Sequence, residues 1–170
     1  MAEKLEYVVF QTAFGWVGIM SSPRGLLNVT LPQLTMADAQ QALGDIRHQA
    51  IWSPSLSDDL ATRVSAYFVG QEATFPDALD FSTATRFQRK VWEATRLIPY
   101  GQTRSYGWVA EQVGKPRAAR AVGQAMGANP LPIIVPCHRV LATGGRLGGF
   151  GGGLEMKRRL LSLEGAAVPA

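Results

Sequence analysis

Ser105-Tyr-Gly-Trp-Val-Ala-Glu-Gln-Val-Gly114-Lys-Pro-Arg-Ala-Ala-Arg120-Ala-Val-Gly-Gln-Ala-Met-Gly127 is the stretch that decides the architecture of the second half of the chain. Helix-compatible segments lie on either side of Gly114-Lys-Pro, where glycine permits a tight bend and proline stops the first helix. Helix, short turn, helix is the layout of a helix-turn-helix, which sets its second helix against a nucleic-acid groove. In that second helix Ala118, Val122, Ala125 and Met126 make the inward stripe, and Arg117, Arg120 and Gln124 fall on another face. Ala119, Gly123 and Gly127, four residues apart, form a strip almost without side chains. Glycine in a helix interior costs about 1 kcal/mol relative to alanine, so two of them need a reason. Close packing of another helix and close approach of a nucleic-acid groove both supply one, and the pattern leaves both open.

Downstream, the apolar run Pro130–Val135 ends at Pro136-Cys137-His138-Arg139-Val140. A glycine-rich loop, Gly144–Gly153, follows, but it has none of the spacing of a phosphate-binding loop. Leu154–Glu164 reads as a last amphipathic helix. Upstream, Thr85-Arg-Phe-Gln88 is a capping box. The helix it opens carries Phe87, Val91, Ala94 and Ile98 on one face and is stopped by Pro99-Tyr100-Gly101.

The first half reads differently. Leu5–Thr12, Trp16–Ser21 and Leu26–Leu31 are short β-rich runs, separated by the turns Ala13-Phe14-Gly15 and Ser22-Pro23-Arg24-Gly25. Thr35–Arg47, with Ala39, Leu43 and Ile46, and Ser57–Val69, with Leu60, Val64, Tyr67 and Phe68, have helical spacing. Glu72–Thr83 has no periodicity and reads as a linker. The expected fold is mixed α/β (α+β). An N-terminal domain over 1–80 has a small antiparallel sheet with helices, and a mostly helical domain over 81–170 carries the helix-turn-helix.

Charge divides the same way. Residues 1–85 hold 4 basic and 9 acidic residues, whereas 86–170 hold 13 basic and 4 acidic, so a polyanion would bind the second half. No apolar run approaches a membrane span. The acidic N-terminus lacks the order of a signal peptide, which points to the cytoplasm.

Cys137 is the single cysteine. It excludes an intrachain disulfide, and a cysteine-based zinc site would need more ligands than this chain has. A lone cysteine is often a small buried hydrophobe. A thiolate is also the strongest side-chain nucleophile, and a nearby histidine can activate it. His138 is adjacent, a bridging water would connect it to the thiol, and Glu164 is the acid in the last helix that would orient it.

These residues carry a resemblance. Pro136-Cys137-His138-Arg139-Val140, with Arg120-Ala-Val-Gly and Asn129-Pro before it, resembles the O6-alkylguanine-DNA alkyltransferase family, the methylated-DNA–protein-cysteine methyltransferases. Phe87-Gln88, Val91-Trp92, Ile98-Pro99-Tyr100-Gly101, Ser105-Tyr106 and Lys157 with Leu160-Leu161 fit the same pattern, from Phe87 to Gly165. The resemblance implies an N-terminal domain of ribonuclease-H-like type and a DNA-repair activity. An alkyl group on O6 of guanine, or on O4 of thymine, passes irreversibly to Cys137 after the nucleotide is flipped out. It implies that His138 is the base through a water, Glu164 orients His138, Tyr106 donates a proton to the guanine ring, and Asn129 braces the active-site turn. Arg120 fills the gap left by the flipped nucleotide. Arg117, Ala119, Gly123, Gln124 and Gly127, with Ser105 and Tyr106, meet double-stranded DNA through its minor groove. Pro132, Val140, Gly148, Phe150 and Gly151 line the base pocket. No cofactor or metal is implied, since the cysteines of the zinc site found in some members are missing, and the protein is expected to act as a monomer. Where members commonly have Tyr-Ser, this chain has Phe150-Gly151, so two hydroxyls are gone. Two other readings are a lesion sensor that flips without repairing, which Cys137 argues against, and a Cys–His hydrolase, which repeated turnover would reveal.

Overall fold

The computed structural model describes residues 3–56 and 58–169. The chain divides into two compact units, Met1–Thr83 and Ala84–Ala170.

In the first unit, strands β1 (Glu6–Thr12), β2 (Gly15–Ser22), β3 (Gly25–Val29) and β4 (Ile51–Trp52) form one sheet in the order β3-β2-β1-β4. The first three are the expected meander, antiparallel from Thr12↔Gly15 onward. β4 runs parallel to β1 and makes the sheet mixed; two residues are too few to show a period in sequence. Helix α1 (Met36–Ala42) brings Ala39 and the following Leu43 onto Tyr7, Val9 and Met20. Helix α2 (Asp58–Phe68) buries Leu60, Val64, Tyr67 and Phe68, and Ser57, where the sequence pattern began it, lies outside the described residues.

Two expectations for this unit change. The helix expected over Thr35–Arg47 is capped by Thr35, whose hydroxyl accepts the Asp38 N–H, and it ends at Ala42. Gly44 turns the chain at φ 86°, and Asp45–Gln49 forms a separate 3-10 turn. Ile46 is therefore 44% exposed rather than part of the Ala39–Leu43 stripe. The segment Glu72–Thr83 is no free linker. The Leu26 N–H donates to the Ala78 carbonyl, and the Asp80 N–H returns to that of Leu26. The buried Asp80 carboxylate accepts from the Ser22 hydroxyl at 2.5 Å and the Ser82 N–H at 2.9 Å. These bonds hold its carboxyl down at about 2 despite the opposing effect of burial.

In the second unit, helix α3 (Arg86–Thr95) starts with the expected capping box, both of its hydrogen bonds being present. The apolar stripe includes Val91, Trp92 and Ala94, while Ile98 is buried beyond the helix end. The Trp92 indole N–H donates to the Ala125 carbonyl at 2.9 Å, fixing α3 against the inward side of α5 (Ala119–Gly127). Helix α4 (Tyr106–Gln112) precedes it as the first limb of the helix-turn-helix, capped by the Ser105 hydroxyl. Ala118 sits at the N-cap of α5 rather than in its stripe. A parallel pair unseen in the sequence, β5 (Arg104–Ser105) and β6 (Val140–Leu141), joins the start of this motif to the chain just after Cys137. Helix α6 (Leu154–Leu163) closes the unit with Lys157, Leu160 and Leu161 buried. Among the described residues no helix is long and apolar enough to cross a membrane.

Candidate active site

The chain enters the site through a strained turn. Ile133 adopts φ 73°, a conformation costly for a β-branched residue, and burial to 3% exposure holds it there. Asn129 spans the turn: its Oδ1 accepts the Leu131 N–H at 2.9 Å, and its Nδ2 donates to the Val135 carbonyl at 3.0 Å. Cys137 follows in a 3-10 turn with His138 and Arg139, all three buried.

Cys137 lies at a cavity of about 400 Å³. One wall comes from the helix-turn-helix, with Tyr106, Arg120, Gly123, Gln124, Met126 and Gly127, and the other from the glycine loop, Gly149 to Gly151 with Phe150. Close packing of another helix does not explain the glycine strip. A Cβ added at Gly123 or Gly127 would meet no atom within 4 Å, so no neighbouring helix requires their smallness.

Behind the cysteine stands a buried polar array. His138 is fully buried, and its Nε2 lies 2.6 Å from Oε2 of Glu164, the C-cap of α6. Arg139 donates to the same carboxylate through Nε at 2.7 Å and Nη2 at 3.1 Å, and the Gly101 N–H adds a bond at 3.2 Å. Burial would raise the Glu164 carboxyl, but the hydrogen bonds from His138 and Arg139 and the guanidinium charge of Arg139 outweigh it and hold the group ionised, well below the usual carboxylate range. Burial lowers His138 against the pull of Glu164 and raises the Cys137 thiol, opposed by a hydrogen bond with Asn129 and the charge of Lys157. The resting pair is therefore neutral imidazole and thiol. Burial also raises the Tyr106 phenol, whose hydroxyl bonds to the Gly149 backbone, so it keeps its proton at neutral pH.

Lys157 is fully buried and donates to three carbonyls: Val140 at 2.8 Å, Gly149 at 3.3 Å, and Leu147. It ties the base of the glycine loop to the strand after Cys137. Burial brings its ammonium down to about 8.

Three expected pocket residues are placed elsewhere. Pro132, half-buried, belongs to the Asn129-braced turn, where its backbone bridges to Val135, and is not among the side chains that line the cavity at Cys137. Val140 is wholly buried and gives its carbonyl to Lys157. Gly148, at φ 71°, packs behind the wall, where a Cβ would come within 2.8 Å of the Tyr106 hydroxyl. Ser105 spends its acceptor on the helix cap, and Arg117 is exposed ahead of α5 without lining the cavity. Arg139, Lys157 and Ile133 had no role assigned from the residue pattern. The signal for Lys157 was there, as a lysine on the Leu160–Leu161 stripe. Ile133 had none, because backbone strain leaves no compositional trace. Among the described residues no group of three or more His, Cys, Asp or Glu is gathered to hold a metal.

A buried thiol with its own acid–base array, opening onto the small-residue face of a helix-turn-helix, defines a protein that does covalent chemistry on a ligand held against that helix. Residues 86–166 match the family described as the 6-O-methylguanine DNA methyltransferase DNA-binding domain. The methylated-DNA–protein-cysteine methyltransferase of Mycolicibacterium paratuberculosis is 45% identical over 156 residues, 89% of this chain and 93% of the relative. That of Methanosarcina acetivorans is 46% identical over 108 residues, 64% of this chain and 69% of the relative. The crystal structure of Mycobacterium tuberculosis OGT in complex with DNA superposes with a TM-score of 0.80 at 38% identity, covering 94% of this chain and 92% of that one. The O6-methylguanine-DNA methyltransferase of Pyrococcus kodakaraensis superposes at 0.69 with 25% identity, covering 95% and 99%. The chain belongs to the methylated-DNA–protein-cysteine methyltransferase family.

Proposed function

We propose that this protein repairs double-stranded DNA by moving the alkyl group of O6-alkylguanine onto Sγ of Cys137, once per molecule. The observation that carries the reading is the shared cavity, with the thiol at one side and the bare strip of α5 at the other. A base inside a duplex is out of reach, so it must be extruded into the cavity. Gly123 and Gly127 let the minor-groove edge approach α5 closely, and the exposed Arg120 beside them is the side chain to hold the vacated space. Phe150 covers the flipped base, and Gly151 offers its backbone N–H to O6. O4-alkylthymine presents the same alkyl–oxygen bond on a smaller ring and fits the same arrangement.

The chemistry then balances. His138 donates its Nε2–H to Glu164 and takes the thiol proton at Nδ1 through a water. Sγ bonds to the alkyl carbon as the carbon–O6 bond breaks, and that electron pair stays on guanine. Tyr106 gives the ring a proton and recovers one from the imidazolium through solvent. The products are guanine and a thioether on Cys137, and none of these side chains can break a carbon–sulfur bond, so the protein is consumed. The chain needs no cofactor for this, acts as a monomer, and works in the cytoplasm.

The test is intact mass after mixing with a duplex bearing O6-methylguanine and, separately, with free O6-benzylguanine. One methyl or one benzyl group should replace one hydrogen per molecule, and the cavity has room for both. An unmodified protein that keeps the lesion bound would make it a sensor, and more than one product per molecule would make it a hydrolase.

Replacing Arg120 with alanine should slow repair of the duplex about a hundredfold, the equivalent of the few kcal/mol of unstacking it helps offset. The rate with free O6-benzylguanine should stay within about threefold, since a free base needs no extrusion. Equal losses on both substrates would assign Arg120 to chemistry or folding instead.

A further inference from the structure

Arg139 follows His138 directly and is 8% exposed. Beyond its two bonds to Glu164, its Nη1 donates to the Ile98 carbonyl at 2.8 Å, and its guanidinium lies 5.7 Å from the centre of the Tyr100 ring. A planar fork held at both ends in this way has one orientation, and it presents its charge to the carboxylate that also receives His138.

The charges around His138 determine what this does. Glu164 and Lys157 face it from α6, Arg139 from its own turn, and the Cys137 thiol precedes it. With the imidazole neutral, Arg139 and Glu164 cancel. With the imidazole protonated, two cations confront one carboxylate in a buried site, and the Lys157 ammonium adds a third. A histidine paired with a buried carboxylate alone would be drawn toward an imidazolium–carboxylate pair and would lose its capacity to accept a proton.

We propose that Arg139 is a positioning residue for alkyl transfer: by neutralising Glu164 it keeps His138 in the neutral, proton-accepting form while the carboxylate still orients the ring. The inference rests on the reading of His138 as the base for Cys137. Its effect reaches the thiol only through Glu164 and His138. The direction agrees with the forces on His138, since burial and the charges of Arg139 and Lys157 all favour the neutral ring, and Glu164 alone opposes them.

Two measurements on the full chain test it. Nitrogen NMR of the ring, in a His48→Gln background that removes the other histidine, should show His138 neutral at pH 7 and still neutral below its ordinary value of 6.5. The rate with free O6-benzylguanine should then fall only in more acidic solution. In Arg139→Met the acid limb should move up by about one pH unit or more, so that at a fixed pH on that limb activity, taken relative to its value at pH 8, is about tenfold below that of the wild type. Arg139→Lys, which keeps the charge and loses the fork, should keep the limb near that of the wild type at a lower rate. An imidazolium at pH 7 in the wild type, or the same fractional loss at every pH in both variants, overturns the proposal. If Arg139→Met does not fold, the wild-type ring state and the lysine variant decide. A wild type that gains no alkyl mass would refute the transfer reading, whereas the NMR state of His138 tests Arg139 apart from it.

Discussion

Replacing Cys137 with alanine is expected to abolish alkyl transfer outright while leaving affinity for an O6-methylguanine duplex within about twofold of wild type. Sγ is the only atom in the cavity able to take the alkyl group, because Cys137 is the single cysteine of the chain. The neighbouring nucleophiles are held back: His138 is turned toward Glu164 at 2.6 Å, and the Tyr106 phenol is raised and protonated. Binding depends on other elements. Arg120, Gly123, Gln124 and Gly127 lie on α5, which buries Val122, Ala125 and Met126 and is tied to α3 by the bond from the Trp92 indole to the Ala125 carbonyl. Loss of one buried sulfur removes about 1 kcal/mol of packing, too little to unfold a domain. Intact mass and equilibrium binding to the same duplex are the readouts. Any methylated protein in the variant would move the acceptor elsewhere, and a tenfold or greater loss of binding would mean that Cys137 helps to shape the DNA-facing surface.

Much of this site was legible because its chemistry needs particular residue types. The capping box at Thr85–Gln88, the paired helices either side of Gly114, and Cys137 beside His138 are all local patterns with local causes. Three kinds of feature were not legible. Pairings of two residues, β4 on β1 and β6 on β5, are too short to leave a period. The end of α1 was misjudged because Ile46 continues the apolar spacing past Gly44, where the backbone turns away. The segment after α2 resembled a linker because its role is carried by backbone hydrogen bonds to Leu26 and by Asp80, and neither makes an apolar pattern. The glycine loop carries contacts that its composition does not show. Its composition suggests freedom, yet Gly148 is pressed against Tyr106 and the base of the loop is held by Lys157. Lys157, Leu160, Leu161 and Glu164 follow helical spacing, so two charged residues occupy the buried stripe of the last helix. A charge on such a stripe is itself a signal that the helix serves a site, because buried ions are kept only where partners hold them.

Lys157→Met is expected to be the most damaging substitution outside the acceptor itself. Methionine fills the space but leaves the carbonyls of Val140, Leu147 and Gly149 without their donor, and an unsatisfied buried polar group costs about 1–3 kcal/mol. The loop can turn Gly149 to solvent, whereas Val140 and Leu147 are buried, so the net loss should be about 2–4 kcal/mol. For a cooperative unit of this size that lowers Tm by roughly 10 °C or more. Transfer should suffer as well, because the wall carrying Phe150 and Gly151 loses its anchor to the strand after Cys137. The pH dependence isolates the lysine. Its folded value is about 8 against an ordinary 10.5, so between those limits the unfolded chain binds the extra proton. By linkage, the cost of burying this ammonium is fully present below about pH 8 and is relieved as pH rises toward 10.5. Wild type should therefore gain stability relative to Lys157→Met across that alkaline window, and the difference between their melting curves should be constant below it. A variant that melts like wild type, or a difference that shrinks as the pH rises from 8 to 10, would mean that Lys157 is not the buried clamp of the glycine loop.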